Sequence, residues 1–125
     1  MRIAEVVEKY GISADTLRYY ERVGLLRHVR RNKSGIRDYS EADCERIGFV
    51  KCMRGANVSI DALVEYMHLL DEGDETLEAR KAILVEQRDR AREQLAGIQA
   101  GLDRLDYKIA HYDELIHEAE QRLHA

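Results

Sequence analysis

The feature that most restricts what this chain can fold into lies in its second half. Ala91, Leu95, Ile98, Leu102, Leu105, Ile109, Tyr112, Ile116, Ala119 and Leu123 succeed one another at alternating spacings of four and three residues. That is the apolar seam of a heptad repeat, sustained over more than four heptads. Upstream, Leu77 and Leu84 keep the register while Lys81 and Arg88 interrupt it. Between Leu77 and Leu123 there is no proline, and only Gly97 and Gly101 weaken a helix, by roughly 1 kcal/mol each relative to alanine. At 1.5 Å per residue such a helix extends about 70 Å. Nothing earlier in the chain is long enough to cover its seam, but a second copy of the same helix is. The spacing therefore predicts a coiled coil between two copies, with Leu95, Ile98, Leu102, Leu105, Ile109, Tyr112 and Ile116 at the interface. With one phenylalanine and no tryptophan in 125 residues there is little material for a large core, which agrees with apolar surface reserved for another chain.

The first half reads as a run of short helices. Ile3, Val6, Val7 and Tyr10 repeat at helical spacing and Gly11 is a natural stop. Ser13 caps a second helix in which Leu17 and Tyr20 face back toward the first. Two short helices joined by a tight turn containing glycine make a helix-turn-helix. After Gly24 the chain runs through HVRRNKSGIRDY, whose Asn32-Lys33-Ser34-Gly35 has turn chemistry between segments able to pair as a two-stranded ribbon, a wing. Ser40, with Asp43 in the capping box, opens a third helix carrying Cys44, Ile47, Val50 and Met53. Gly55-Ala56-Asn57 ends it. Ser59 caps a fourth helix with Ile60, Leu63, Val64, Met67 and Leu70, and Asp71 to Asp74 is a polar break. The expected organisation is a winged helix-turn-helix domain over 1–71 and a coiled-coil dimerisation helix over 76–123, all-α apart from a small β wing.

Charge divides along the same line. Residues 1 to 57 hold 12 Lys and Arg against 8 Asp and Glu, whereas the whole chain has a net charge of -4. Between Asp15 and Arg37 there are 7 basic side chains and 2 acidic ones. A basic end joined to an acidic end suits a protein that meets nucleic acid with one part only. On the second helix Leu17 and one tyrosine must pack inward, which leaves Asp15, Thr16, Arg18, Tyr19 and Arg22 for a partner. Arginine pairs bidentately with guanine in the major groove, and hydroxyl groups reach phosphate. Arg30, Arg31, Lys33 and Arg37 would lie on the wing, suited to backbone or minor groove.

The stretch TLRYYERVGLL, the basic segment ending in RDYS and the helix EADCERIGFVKCMR resemble the MerR family of transcriptional regulators, and the resemblance covers the whole chain. It implies a homodimer joined by an antiparallel coiled coil, bound to a near-palindromic operator in double-stranded promoter DNA. The family bends and untwists a promoter whose spacer is too long, so that RNA polymerase engages both elements. By the family motif, Thr16, Arg18, Tyr19, Arg37 and Tyr39 fall at positions expected to touch DNA.

Family members differ mainly in what they sense. Metal-sensing and iron–sulfur members need cysteines that this chain lacks after Cys52, and His111, His117 and His124 show no metal-site spacing on one face, so neither metal nor cofactor is expected. Cys44 falls in line with Ile47 and Val50 and reads as a small core residue. Cys52 leaves that apolar arc, with Gly48, Gly55 and Ala56 as thin neighbours and Lys51 and Arg54 as nearby cations. An accessible thiol beside positive charge suits attack by aldehydes and other electrophiles, or oxidation. KCMR also resembles the family's one-cysteine subgroup, which responds to aldehyde or thiol stress. Cys52 is therefore the expected sensor, and packing beneath a partner helix is its plain alternative.

Other function classes fit less of the chain. An enzyme would need a base and an orienting group around the thiol, and the sequence offers no such set. An architectural DNA-binder without a signal would share every DNA contact and lack only the inducer. A pure coiled-coil adaptor leaves the basic segment unexplained. The first residues show no signal-peptide h-region and no apolar run reaches membrane-span length, so a cytoplasmic location is expected.

Overall fold

The computed structural model describes residues 1–124, which divide into two compact units, Met1–Arg88 and a second from Asp89 onward. Four helices build most of the first: α1 (Ile3–Tyr10), α2 (Ala14–Val23), α3 (Glu41–Gly55) and α4 (Ile60–Glu72). Each start has a local cause. Ser13, Ser40 and Ser59 accept hydrogen bonds from the backbone N–H groups of Thr16, Asp43 and Ala62, at 3.0 to 3.1 Å. Asp43 in turn accepts from the Ser40 N–H at 2.9 Å, which completes the capping box. Gly11 and Gly24, at φ of 65° and 89°, end α1 and α2 in the left-handed conformation.

The core collects one stripe from each helix and the connection after α2. Val6, Leu17, Leu25, Val29, Ile47, Val50, Leu63 and Met67 are its most deeply buried side chains. Tyr20 and Cys44 are buried with them, as the helical spacing predicts. The segment after Gly24 forms only one isolated antiparallel bridge, Arg31 to Arg37, and no strand is formed among the described residues. The expected two-stranded ribbon thus shrinks to a tight turn. Asn32 closes it, its side-chain oxygen accepting from the N–H groups of Ser34 and Ile36. Every residue from Arg30 to Ile36 is exposed, so no apolar face is buried that would select a longer pairing register.

A second network joins the end of α4 to the start of the long helix. Gly73 (φ 109°) breaks α4, a single 3-10 turn spans Asp74–Thr76, and α5 begins at Leu77 and runs to Ala110. The Thr76 hydroxyl lies 2.7 Å from the carbonyls of both Leu69 and Gly73 and accepts from Arg80 Nε at 3.0 Å. Gln87 of α5 accepts from the Ser59 N–H at 3.0 Å, and Ile83 packs against the core. The first turns of α5 are therefore part of the first unit.

The 34 residues of α5 make it about 50 Å long. A continuous helix to Leu123 is not what forms. The chain leaves α-helical geometry at His111 (φ -110°, ψ 14°), makes a π-helical turn over Tyr112–Ile116, and resumes as α6 (His117–His124). Lys108 Nζ meets Glu120 Oε2 at 2.7 Å, although twelve residues of straight helix would separate their backbones by about 18 Å. The axis therefore bends sharply here, with His111 stacked on Tyr107 at 4.2 Å between ring centroids.

Candidate nucleic-acid interface and thiol

Helix α2 is pinned from one side. Leu17 and Tyr20 are buried, so Asp15, Arg18, Tyr19 and Arg22 are exposed and Thr16 is half-buried, its hydroxyl accepting from Ser13 Oγ at 2.8 Å. Arg18 donates to Asp15 at 2.8 Å, and the Arg22 guanidinium lies 5.4 Å from the centre of the Tyr19 ring. These contacts pre-position two arginines and a tyrosine on one accessible surface with few rotamers left to fix on binding.

On the turn after α2, Arg30, Arg31 and Lys33 are exposed. Arg31 donates to the Gly35 carbonyl at 2.8 Å, and so braces the turn that carries it. Arg37 is placed differently. Its Nε donates to Glu21 Oε1 at 3.0 Å, with both side chains largely buried, and Glu21 also faces His28 at 3.6 Å. An acidic residue of α2 thus ties the base of the turn to the helix.

Tyr39 departs from the expectation drawn from the family motif. It is only 2% exposed, and its hydroxyl is buried with no hydrogen-bond partner among the described residues. Burial is the main reason its phenol is pushed above the ordinary tyrosine value, which keeps it neutral. Its backbone N–H donates to the Met1 carbonyl at 2.7 Å, and the Met1 ammonium pairs with Asp38 at 2.9 Å.

One cluster has no forerunner in the sequence pattern. Asp71 at the end of α4 accepts from Arg46 of α3 at 2.7 Å and from Arg27 after α2 at 2.9 Å. Arg46 is its principal partner and, with Arg27 adding to it against some desolvation, holds the Asp71 carboxyl below its ordinary value. Residues 25 and 44 positions apart meet here, and no local spacing announces such a pairing. Beside it Phe49 and Tyr66 stack at 5.3 Å in a groove between α3 and α4.

The two thiols are separated as their helical positions imply: Cys44 is buried and Cys52 exposed. The cations flanking Cys52 are engaged elsewhere. Lys51 donates to the Tyr10 carbonyl and Arg54 to the Val58 carbonyl at 2.6 Å. Among the described residues no group of three or more metal-ligating side chains occurs. On α5, Leu95, Ile98, Leu102, Leu105 and Ile109 are all exposed, as is Tyr112 beyond it, while Ile116 is half-buried.

Comparison with known proteins places these features in context. Residues 1–70 match the family described as MerR HTH family regulatory protein. The chain is 58% identical over 90 residues to the HTH-type transcriptional regulator AdhR of Bacillus subtilis (strain 168), a match spanning 72% of this chain and 64% of that protein. It is 32% identical over 111 residues to an uncharacterized HTH-type transcriptional regulator of Haemophilus influenzae, covering 89% of this chain and 82% of the relative. A MerR family transcriptional regulator from Listeria monocytogenes superposes with a TM-score of 0.78 at 45% identity, over 98% of this chain and 93% of the other. The crystal structure of HiNmlR, described as a MerR family regulator lacking the sensor domain and bound to promoter DNA, gives a TM-score of 0.71 at 32% identity, over 90% of each chain.

Proposed function

Since this chain belongs to the MerR HTH family and is a DNA-binding transcriptional regulator of it, we propose that it works as a homodimer that bends and untwists promoter DNA in response to modification of Cys52 by an electrophile or oxidant. The observation that carries the DNA part is the outward set on α2, with Arg18, Tyr19 and Arg22 held by Asp15 and by each other while Leu17 and Tyr20 anchor the helix. Arginine in that setting reads base edges, and Thr16 and Tyr19 reach phosphate or base with their hydroxyls. Arg30, Arg31 and Lys33 add backbone contacts from the turn, and Arg37 orients it through Glu21. Tyr39 serves the surface from beneath in this reading, as a packed support for the turn's base.

A dimer supplies the second DNA-binding head. The exposed seam on α5 is the support for it, since apolar side chains repeating at heptad spacing are buried by a matching helix. Two heads joined rigidly must meet half-sites about 34 Å apart, so a small change in their relative angle alters the fit to DNA. Cys52 sits near the end of α3, close to the Gly55-Ala56-Asn57 turn, where an adduct would add bulk beside a connection between helices. AdhR, its relative at 58% identity over 90 residues, is an HTH-type transcriptional regulator. In this reading RNA polymerase is reached through the distorted promoter.

The deciding experiment begins by selecting a duplex from a random library with the purified protein. Transcription from a promoter carrying that duplex is then followed while formaldehyde, methylglyoxal or diamide is titrated in. The reading expects unchanged affinity and lost induction for Cys52→Ser. Induction that survives the substitution removes Cys52 from the signal and leaves the DNA-binding role standing.

A further inference from the structure

Helix α4 lacks half of a local cap. At α1 and α3 the N–H of the capping residue is taken up by a carboxylate three positions on, Glu5 for Arg2 at 3.0 Å and Asp43 for Ser40 at 2.9 Å. The corresponding residue of α4 is Ala62, whose methyl group accepts nothing. The Ser59 N–H is satisfied instead from 28 residues away, by the Gln87 side chain of α5 at 3.0 Å. Gln87 is only 9% exposed, and an amide buried that deeply needs such a partner. Helix α4 is thus bracketed by α5. At its other end the Thr76 hydroxyl and the Arg80 guanidinium bind each other and the carbonyls of Leu69 and Gly73.

The Gln87 fastening lies where the thiol-bearing helix hands over to α4. Between Cys52 and Ser59 the chain is bonded to itself. The Ala56 N–H donates to the Cys52 carbonyl and the Val58 N–H to the Met53 carbonyl, each at 3.1 Å, and Arg54 donates to the Val58 carbonyl at 2.6 Å. A connector held in this way passes on a displacement of the last turn of α3 and absorbs little of it. The first group it reaches on α5 is the Gln87 amide. One neutral hydrogen bond contributes little net stability, so this fastening can open while the rest of the unit stays folded.

We infer that Gln87 is a positioning residue that couples the end of α3 to the long helix. It holds α5 to the start of α4 while Cys52 is unmodified, and an adduct on Cys52 shifts the Gly55-Ala56-Asn57 turn and draws Ser59 away from it. This rests on the Cys52 reading above and adds the route by which the signal reaches α5.

Transcription from a promoter carrying the selected duplex tests it, with the full chain and methylglyoxal as the probe. Gln87→Met keeps the length of the side chain and removes the acceptor. It is expected to raise transcription several-fold without methylglyoxal, to respond little further when it is added, and to keep duplex affinity and Cys52 labelling unchanged. Adding Cys52→Ser to Gln87→Met should leave that raised level in place. Gln87→Glu retains an acceptor, and the N-terminus of α4 favours its negative charge, so it should behave as the unaltered protein does. Low transcription from Gln87→Met before methylglyoxal, or a loss of duplex affinity in that variant, overturns the inference and leaves Cys52 as the sensor. Induction that persists in Cys52→Ser alone overturns the thiol reading, and the route from it falls too.

Discussion

Glu21 on helix α2 holds Arg37 at the base of the turn, carboxylate oxygen to guanidinium nitrogen at 3.0 Å, with both side chains largely out of solvent. An acidic group in the middle of the basic stretch is thus the fastener between the two parts of the proposed DNA surface. Charge alone would count Glu21 as a liability for DNA binding, and its position gives it the opposite role.

Glu21→Gln separates these views. Neutralising the carboxylate makes the surface more positive, so bulk electrostatics predicts tighter DNA binding. The geometry predicts weaker binding by several-fold, because Arg37 loses its charged acceptor and the turn its tether, along with a stability loss of about 1–3 kcal/mol for a disrupted, mostly buried charged hydrogen bond. Titration of a labelled duplex and thermal unfolding on the same preparation read both.

Arg18 and Lys33 should fail in different ways. Arg18→Ala is expected to cost about 1–3 kcal/mol and to relax discrimination at one base position. Lys33→Ala should weaken binding to all duplexes alike and reduce the salt slope by about one. Affinities measured against salt concentration, for the selected duplex and for scrambled DNA, distinguish them.

Asp71 ties α4 to Arg46 and Arg27 and titrates below its ordinary value, chiefly through Arg46. An unfolded aspartate titrates near ~3.9. The folded group's value is lower, so its contribution is present above that pH and is lost as pH falls through the depressed folded value. Asp71→Asn should therefore flatten part of the acid-unfolding curve in that window. At neutral pH Asp71→Ala strands Arg46, whose side chain is only 12% exposed, and should cost about 1–3 kcal/mol in denaturant melts.

Gly97 and Gly101 give a sign test for the seam. Within the chain itself a Cβ at either position meets nothing within 4 Å, so alanine should stabilise an isolated helix by roughly 1 kcal/mol each. Gly101 directly precedes the seam residue Leu102 and borders the proposed interface, so a methyl group there is expected to weaken association, whereas Gly97 faces away from the seam. Helicity by circular dichroism is expected to rise, and the dimer dissociation constant from sedimentation to rise with it for Gly101→Ala and to stay unchanged for Gly97→Ala.

Cys52 should be labelled rapidly by iodoacetamide in the native protein, with Cys44 reacting only on unfolding. Mass spectrometry of peptides after a brief pulse checks the order. Equal labelling of both would contradict the burial of Cys44.

What the sequence determined by itself was everything that depends on neighbours within about one helical turn. Caps at Ser13, Ser40 and Ser59 join residues three apart, glycine stops at 11 and 24 depend on one residue's own backbone freedom, and the stripe through Leu17 and Tyr20 comes from 3.6 residues per turn. The MerR-type helices and the heptad seam obey the same local rules. Tertiary structure decided the rest. It decided that Arg37 turns inward to Glu21, that Asp71 gathers two arginines, that Tyr39 is buried, that among the described residues the wing shrinks to one bridge, and that the long helix bends at His111 although its heptads run on. The physical reason is the same in each case. Such outcomes compare contacts between residues far apart in the chain, and no periodicity records which of them is stronger.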